Sequence, residues 1–127
     1  MGRTPREPLA PLRAEITCFV LALAGAATLY AHAILIKSQP ASNSKVSGPS
    51  FPVILTFNSR IDQSRSTLVL DGPGQTSSVL TVKRDDASPE KLLSAVANAK
   101  TGAYRIRWQV LSVDGHITRG QIPFQVQ

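Results

Sequence analysis

Residues 104–112 read Tyr-Arg-Ile-Arg-Trp-Gln-Val-Leu-Ser, and this stretch decides the fold. Tyr104, Ile106, Trp108 and Val110 alternate with Arg105, Arg107, Gln109 and Leu111. Side chains in an extended chain point to opposite faces with a period of two, so the pattern predicts a half-buried strand. Its core face is Tyr104, Ile106, Trp108 and Val110. Downstream, Asp114-Gly115 is a turn dipeptide, and residues 121–126 form a last strand entered through Gly120. Upstream, Thr101-Gly102 closes the segment KLLSAVANA (91–99). That run fits two helical turns or a buried strand, and its periodicity does not decide between them.

The same reading extends toward the N-terminus. Residues 78–83 alternate, and 85–89 break the pattern. Residues 67–70 end at Asp71-Gly72-Pro73-Gly74, a strong turn signal. Residues 53–57 are rich in β-branched and aromatic side chains, as a strand should be. Residues 39–50 hold Pro40, Asn43, Gly48 and Pro49 among serines and read as a loop, preceded by a short apolar strand over 33–37. About seven short strands with regularly spaced turns indicate an all-β sandwich.

Residues 1–31 have a different character. Arg3, Arg6 and Arg13 precede an uncharged run from Ile16 to Tyr30, the arrangement of a secretory signal peptide. Continued through Ile36, the run is also long enough for an uncleaved anchor. A lipoprotein is disfavoured, because Cys18 lies at the start of the apolar stretch instead of after it. The cut has chemical consequences. A small-x-small rule favours cleavage after Ala33, which discards His32, whereas cleavage after Ala31 makes His32 the first residue. Residues 32–127 contain no cysteine, which suits an oxidising compartment.

The net charge of +6 comes from 14 basic and 8 acidic residues. These charges are dispersed and lack interleaved aromatics, so nucleic acid is not the expected partner. Catalytic motifs are absent: no Ser–His–acid set stands out, and Gly72-Pro73-Gly74 is followed by neither a lysine nor a helix. Asp62, Asp85, Asp86 and Glu90 lie in turn-like stretches and read as solvated charges.

Only two histidines are present, His32 and His116. Asp114 and His116, two apart in an extended segment, can converge on one point. If His32 is the first residue, its α-amine and imidazole can chelate one ion. Nitrogen and oxygen donors of this kind suit Cu(II), which tops the divalent affinity order. The plain alternatives are a turn at Asp114-Gly115, a surface histidine at 116 and a discarded one at 32. Met1 is the sole methionine, which excludes a methionine-lined Cu(I) site from a processed chain.

The motifs AHAILIKSQPAS (31–42), VILTFNSRID (53–62), GAYRIRWQVLSVDGHITRG (102–120) and IPFQV (122–126) together resemble the CopC family of periplasmic copper-resistance proteins. The resemblance implies an Ig-like Greek-key β-sandwich or barrel over 32–127 that binds Cu(II) without catalysis. It implies metal ligands at His32, Asp114 and His116, and cleavage before His32. It also implies a role in copper homeostasis, beside a CopD-like inner-membrane protein. Two departures stand out. Many members have Ser-Glu after Leu-Thr-Phe, where this chain has Asn58 and Ser59, and Asp62 is out of phase to replace that carboxylate. The methionine-rich loop of some members is missing as well. A single Cu(II) site is therefore expected. The alternative function is an exported Ig-like interaction domain, anchored to the membrane, with vestigial metal residues. A copper-dependent redox enzyme is disfavoured, since an anionic Asp114 ligand would stabilise Cu(II) over Cu(I).

Overall fold

The computed structural model describes residues 32–127, together with Gly2. The signal-peptide reading of residues 1–31, Cys18 included, lies outside the described residues. Among the described residues eight strands follow one another: β1 (Leu35–Gln39), β2 (Ser44–Val46), β3 (Phe51–Phe57), β4 (Ile61–Gly72), β5 (Thr76–Leu80), β6 (Lys91–Val96), β7 (Gly102–Ser112) and β8 (Ile117–Val126). Two sheets form, one in the order β1-β3-β6 and the other in the order β2-β8-β7-β4-β5. The chain crosses between the sheets after β1, β2, β3, β5 and β6, while β4–β5 and β7–β8 are hairpins within one sheet. This is an Ig-like Greek-key β-sandwich. No helix among the described residues is long and apolar enough to cross a membrane.

The alternation read from residues 104–112 is present in β7. Ile106, Trp108, Val110 and Ser112 are buried, while Arg105 and Arg107 face out. Tyr104 is only half-buried. It stacks on Phe124 at 5.7 Å, and its hydroxyl donates to the Lys100 carbonyl at 2.8 Å, which draws the ring to the rim. Opposite β7, the core is completed by Val53, Leu55 and Phe57 of β3 and Leu92 of β6. Burying each such side chain stabilises the fold by about 1.5–3 kcal/mol. The ambiguous 91–99 segment is a strand as far as Val96, because it pairs antiparallel with β3 from Phe51↔Val96 to Thr56↔Lys91.

Several boundaries differ from the sequence reading: β4 starts at Ile61 and runs through Gly72 where 67–70 is expected, and β5 covers Thr76–Leu80 where 78–83 is expected. The loop expected over 39–50 contains β2, whose three residues run parallel to β8 and owe their extended form to that neighbour. The last strand begins at Ile117, not after Gly120. Gly120 therefore sits inside β8 opposite Trp108, where a Cβ would collide with the indole. A strand glycine here makes room for the largest core side chain. β1 begins at Leu35, because the N–H groups of Ala33 and Ile34 are directed to the side chains of Ser112 and Asn58.

Candidate metal centre

Two segments meet at one end of the sandwich. The first is the β7–β8 turn. Ser112 ends β7, and its backbone N–H donates to the His116 carbonyl at 2.8 Å. The Gly115 N–H returns to the Ser112 carbonyl at 3.0 Å, with Gly115 at φ 89°, a conformation that suits glycine. The Asp114-Gly115 turn and the grouping of Asp114 with His116 are thus one feature. One carboxylate oxygen of Asp114, Oδ1, accepts from the His116 backbone N–H at 3.1 Å. The other, Oδ2, lies 2.8 Å from His116 Nδ1. With Nδ1–H donating to the carboxylate, the imidazole lone pair is on Nε2. The hydrogen bond from the His116 backbone, followed by that from its ring, holds the Asp114 carboxyl below its ordinary pKa. The fields of the His116 and His32 rings act in the same direction, and partial burial opposes them.

The second segment is the start of the described chain. The His32 ring lies edge-on to His116, with centroids 4.6 Å apart and planes at 61°. Ala33 is fully buried in the core. The Ala33 N–H points at Ser112 Oγ at 3.4 Å, and the Ile34 N–H donates to Asn58 Oδ1 at 2.8 Å. The Asn58 N–H returns to the Ile34 carbonyl at 2.9 Å.

The structure thus brings His32 beside His116, and Asp114 is turned onto His116. Both imidazoles are exposed. Among the described residues, no three His, Cys, Asp or Glu side chains are grouped to hold a metal ion by themselves. Two imidazoles and a carboxylate that orients one of them leave room for further donors, and the α-amine of a processed His32 is one. Asp62 takes no part. It accepts from Ser64 Oγ at 2.7 Å and from the Arg65 N–H at 3.2 Å, which keeps it within the irregular start of β4, a strand where the sequence reads as a turn. Asn58 and Ser112 are the site residues that sequence reasoning missed. Neither is singled out by the sequence as a site residue, since their contacts cross 24 and 79 residues.

Comparison with known proteins places this architecture. The CopC domain family matches residues 35–127, a span that includes Asp114 and His116 and begins after His32. Protein YobA of Escherichia coli K12 is 31% identical over 102 residues, covering 79% of this chain and 82% of its own. Copper resistance protein C of Xanthomonas campestris pv. juglandis is 31% identical over 127 residues, covering 90% of this chain and 94% of its own. Among solved structures, PcoC, a methionine-rich copper resistance protein of Escherichia coli, superposes with a TM-score of 0.63 at 25% identity. It is covered completely, against 76% of this chain. CopC of Methylosinus trichosporium OB3b shares the fold with a TM-score of 0.69 at 23% identity, over 76% of this chain and 94% of its own. The chain belongs to the CopC family.

Proposed function

We propose that this protein is an exported, periplasmic copper-binding protein that holds one Cu(II) ion at His32 and His116, with Asp114 completing the site, and performs no turnover. The observation that carries this reading is the approach of the only two histidines in the sequence, from distant parts of the chain, to 4.6 Å between ring centroids. Paired imidazoles and a carboxylate suit Cu(II) better than Cu(I), and no methionine lies among residues 32–127. Relatives named for copper resistance support the same cargo. The protein would buffer Cu(II) or deliver it to a CopD-like inner-membrane protein.

The α-amine of His32 joins the site only if processing exposes it. Complete burial of Ala33 supports cleavage before His32, because a cut after Ala33 would remove a side chain from the core. Intact mass spectrometry of protein purified from the periplasm, with and without one equivalent of Cu(II), tests this. A mass for 32–127 with one copper retained is expected. A chain beginning at Ile34, or one that holds no copper, overturns the reading.

A second reading, an Ig-like interaction domain, is favoured by one observation. Ile34, Ile36, Val113 and Ile117 are large, exposed apolar side chains within four residues of His32 or His116. That reading requires a protein partner whose binding is indifferent to copper.

A further inference from the structure

We propose that Ser112 and Asn58 are positioning residues that clamp the His32–Ile34 segment, so that His32 offers its own donors toward His116 and the peptide nitrogens behind it are withheld. The proposal deepens the copper reading and rests on it.

A chain end that starts with histidine offers copper several nitrogens: the amine, the imidazole and the peptide nitrogens that follow. On a free peptide an ion can gather these around itself and ignore a distant second histidine. Here both following N–H groups are committed. The Ile34 N–H and carbonyl form a reciprocal pair with the Asn58 Oδ1 and N–H, at 2.8 and 2.9 Å. The Ala33 N–H is directed to Ser112 Oγ at 3.4 Å, a long contact and the weaker of the two ties. The Ala33 methyl, fully buried, anchors the same segment from the core side.

Ser112 has a second task. Its side chain reaches Ala33, while its backbone N–H and carbonyl hold the His116 carbonyl and the Gly115 N–H. One buried residue, 2% exposed, therefore links the segment carrying His32 to the turn carrying His116. Displacing either end would change the separation of the two rings. The carboxamide oxygen of Asn58 engages the backbone of the first segment. Partners that orient metal ligands in this way typically alter metal affinity 10- to 100-fold, roughly, when removed.

The test uses protein expressed from the full-length gene and purified as the cell processes it, as wild type, Asn58→Leu, Ser112→Ala and the double variant. In the metal-free state, amide exchange at Ala33 and Ile34 and the magnetisation transfer between the His32 and His116 rings are read by NMR. Faster exchange and a weakened ring contact are expected in the variants, with Asn58→Asp keeping the Ile34 amide protected because it retains the acceptor. With one equivalent of Cu(II), electron paramagnetic resonance is expected to give one species in the wild type. The double variant should give a mixture with additional peptide-nitrogen coordination and about tenfold weaker binding.

A double variant whose copper spectrum, affinity and amide exchange match the wild type overturns the proposal. A wild type that takes up no copper overturns the function reading instead. The exchange and ring-contact measurements then decide alone whether the two residues position His32.

Discussion

His116 Nδ1 lies 2.8 Å from Asp114 Oδ2, and the same carboxylate also accepts the His116 backbone N–H through Oδ1. Asp114 therefore fixes the ring of His116, and Nε2 is the nitrogen presented outward. Replacing Asp114 by alanine frees the ring to rotate. Copper affinity should fall by about 10- to 100-fold while some binding remains, as measured by competition with a chelating dye. Unchanged affinity would exclude Asp114 both as ligand and as orienter.

Removal of an imidazole is more severe. His116→Ala and His32→Ala should each abolish stoichiometric Cu(II) retention after gel filtration, read by elemental analysis. The His116 side chain is 59% exposed, so the far-UV circular dichroism and thermal midpoint of His116→Ala should match the wild type. A loss of fold in that variant would mean the imidazole is structural.

Trp108 anchors the core. It is 7% exposed, packs edge-to-face on Phe57 at 5.3 Å between centroids and covers Gly120. Trp108→Ala should cost about 3–5 kcal/mol of unfolding free energy in a urea titration. Gly120→Val should cost about 1–3 kcal/mol, because its side chain would be driven into the indole. Wild-type stability in Gly120→Val would show that the indole can move aside at no cost.

On the outer face of the larger sheet, Asp71 accepts hydrogen bonds from Arg107 at 2.7 Å, Arg105 at 2.9 Å and Ser77 at 2.9 Å. The Arg107 hydrogen bond, then that of Arg105, holds its carboxyl well below the usual carboxylate range. A carboxyl lowered in the folded state binds protons more readily when unfolded. Its contribution is complete above the ordinary carboxylate pKa and is lost as pH falls toward the lowered value. Urea midpoints measured from about pH 5 down to pH 2 should fall less steeply in Asp71→Asn than in the wild type. Identical slopes would show that the arginine cluster contributes nothing to acid stability. The partly exposed position makes a modest effect the expectation.

The strands legible in the sequence are those whose pattern is local. β7 and β8 show period-two alternation because each has one face in the core and one in water. β2 was not legible. Its three residues carry no alternation of their own and are extended because β8 lies alongside. The 91–99 segment was undecided for a related reason: a short apolar run suits either geometry until a partner such as β3 supplies the ladder.

The sequence by itself determined the half of the site that is local. Asp114 and His116 are two residues apart, which lets the sequence place them together, although it does so through an extended segment where the structure has the Asp114-Gly115 turn. The tertiary structure decided the other half. The approach of His32 to His116 and the holding of Ala33 by Ser112 and Ile34 by Asn58 depend on two sheets packing face to face. Nothing in the local chemistry of Asn58 or Ser112 names its partner. A side-chain hydrogen bond across many residues is selected by the packing of the core, which brings those residues together only once the sandwich has closed.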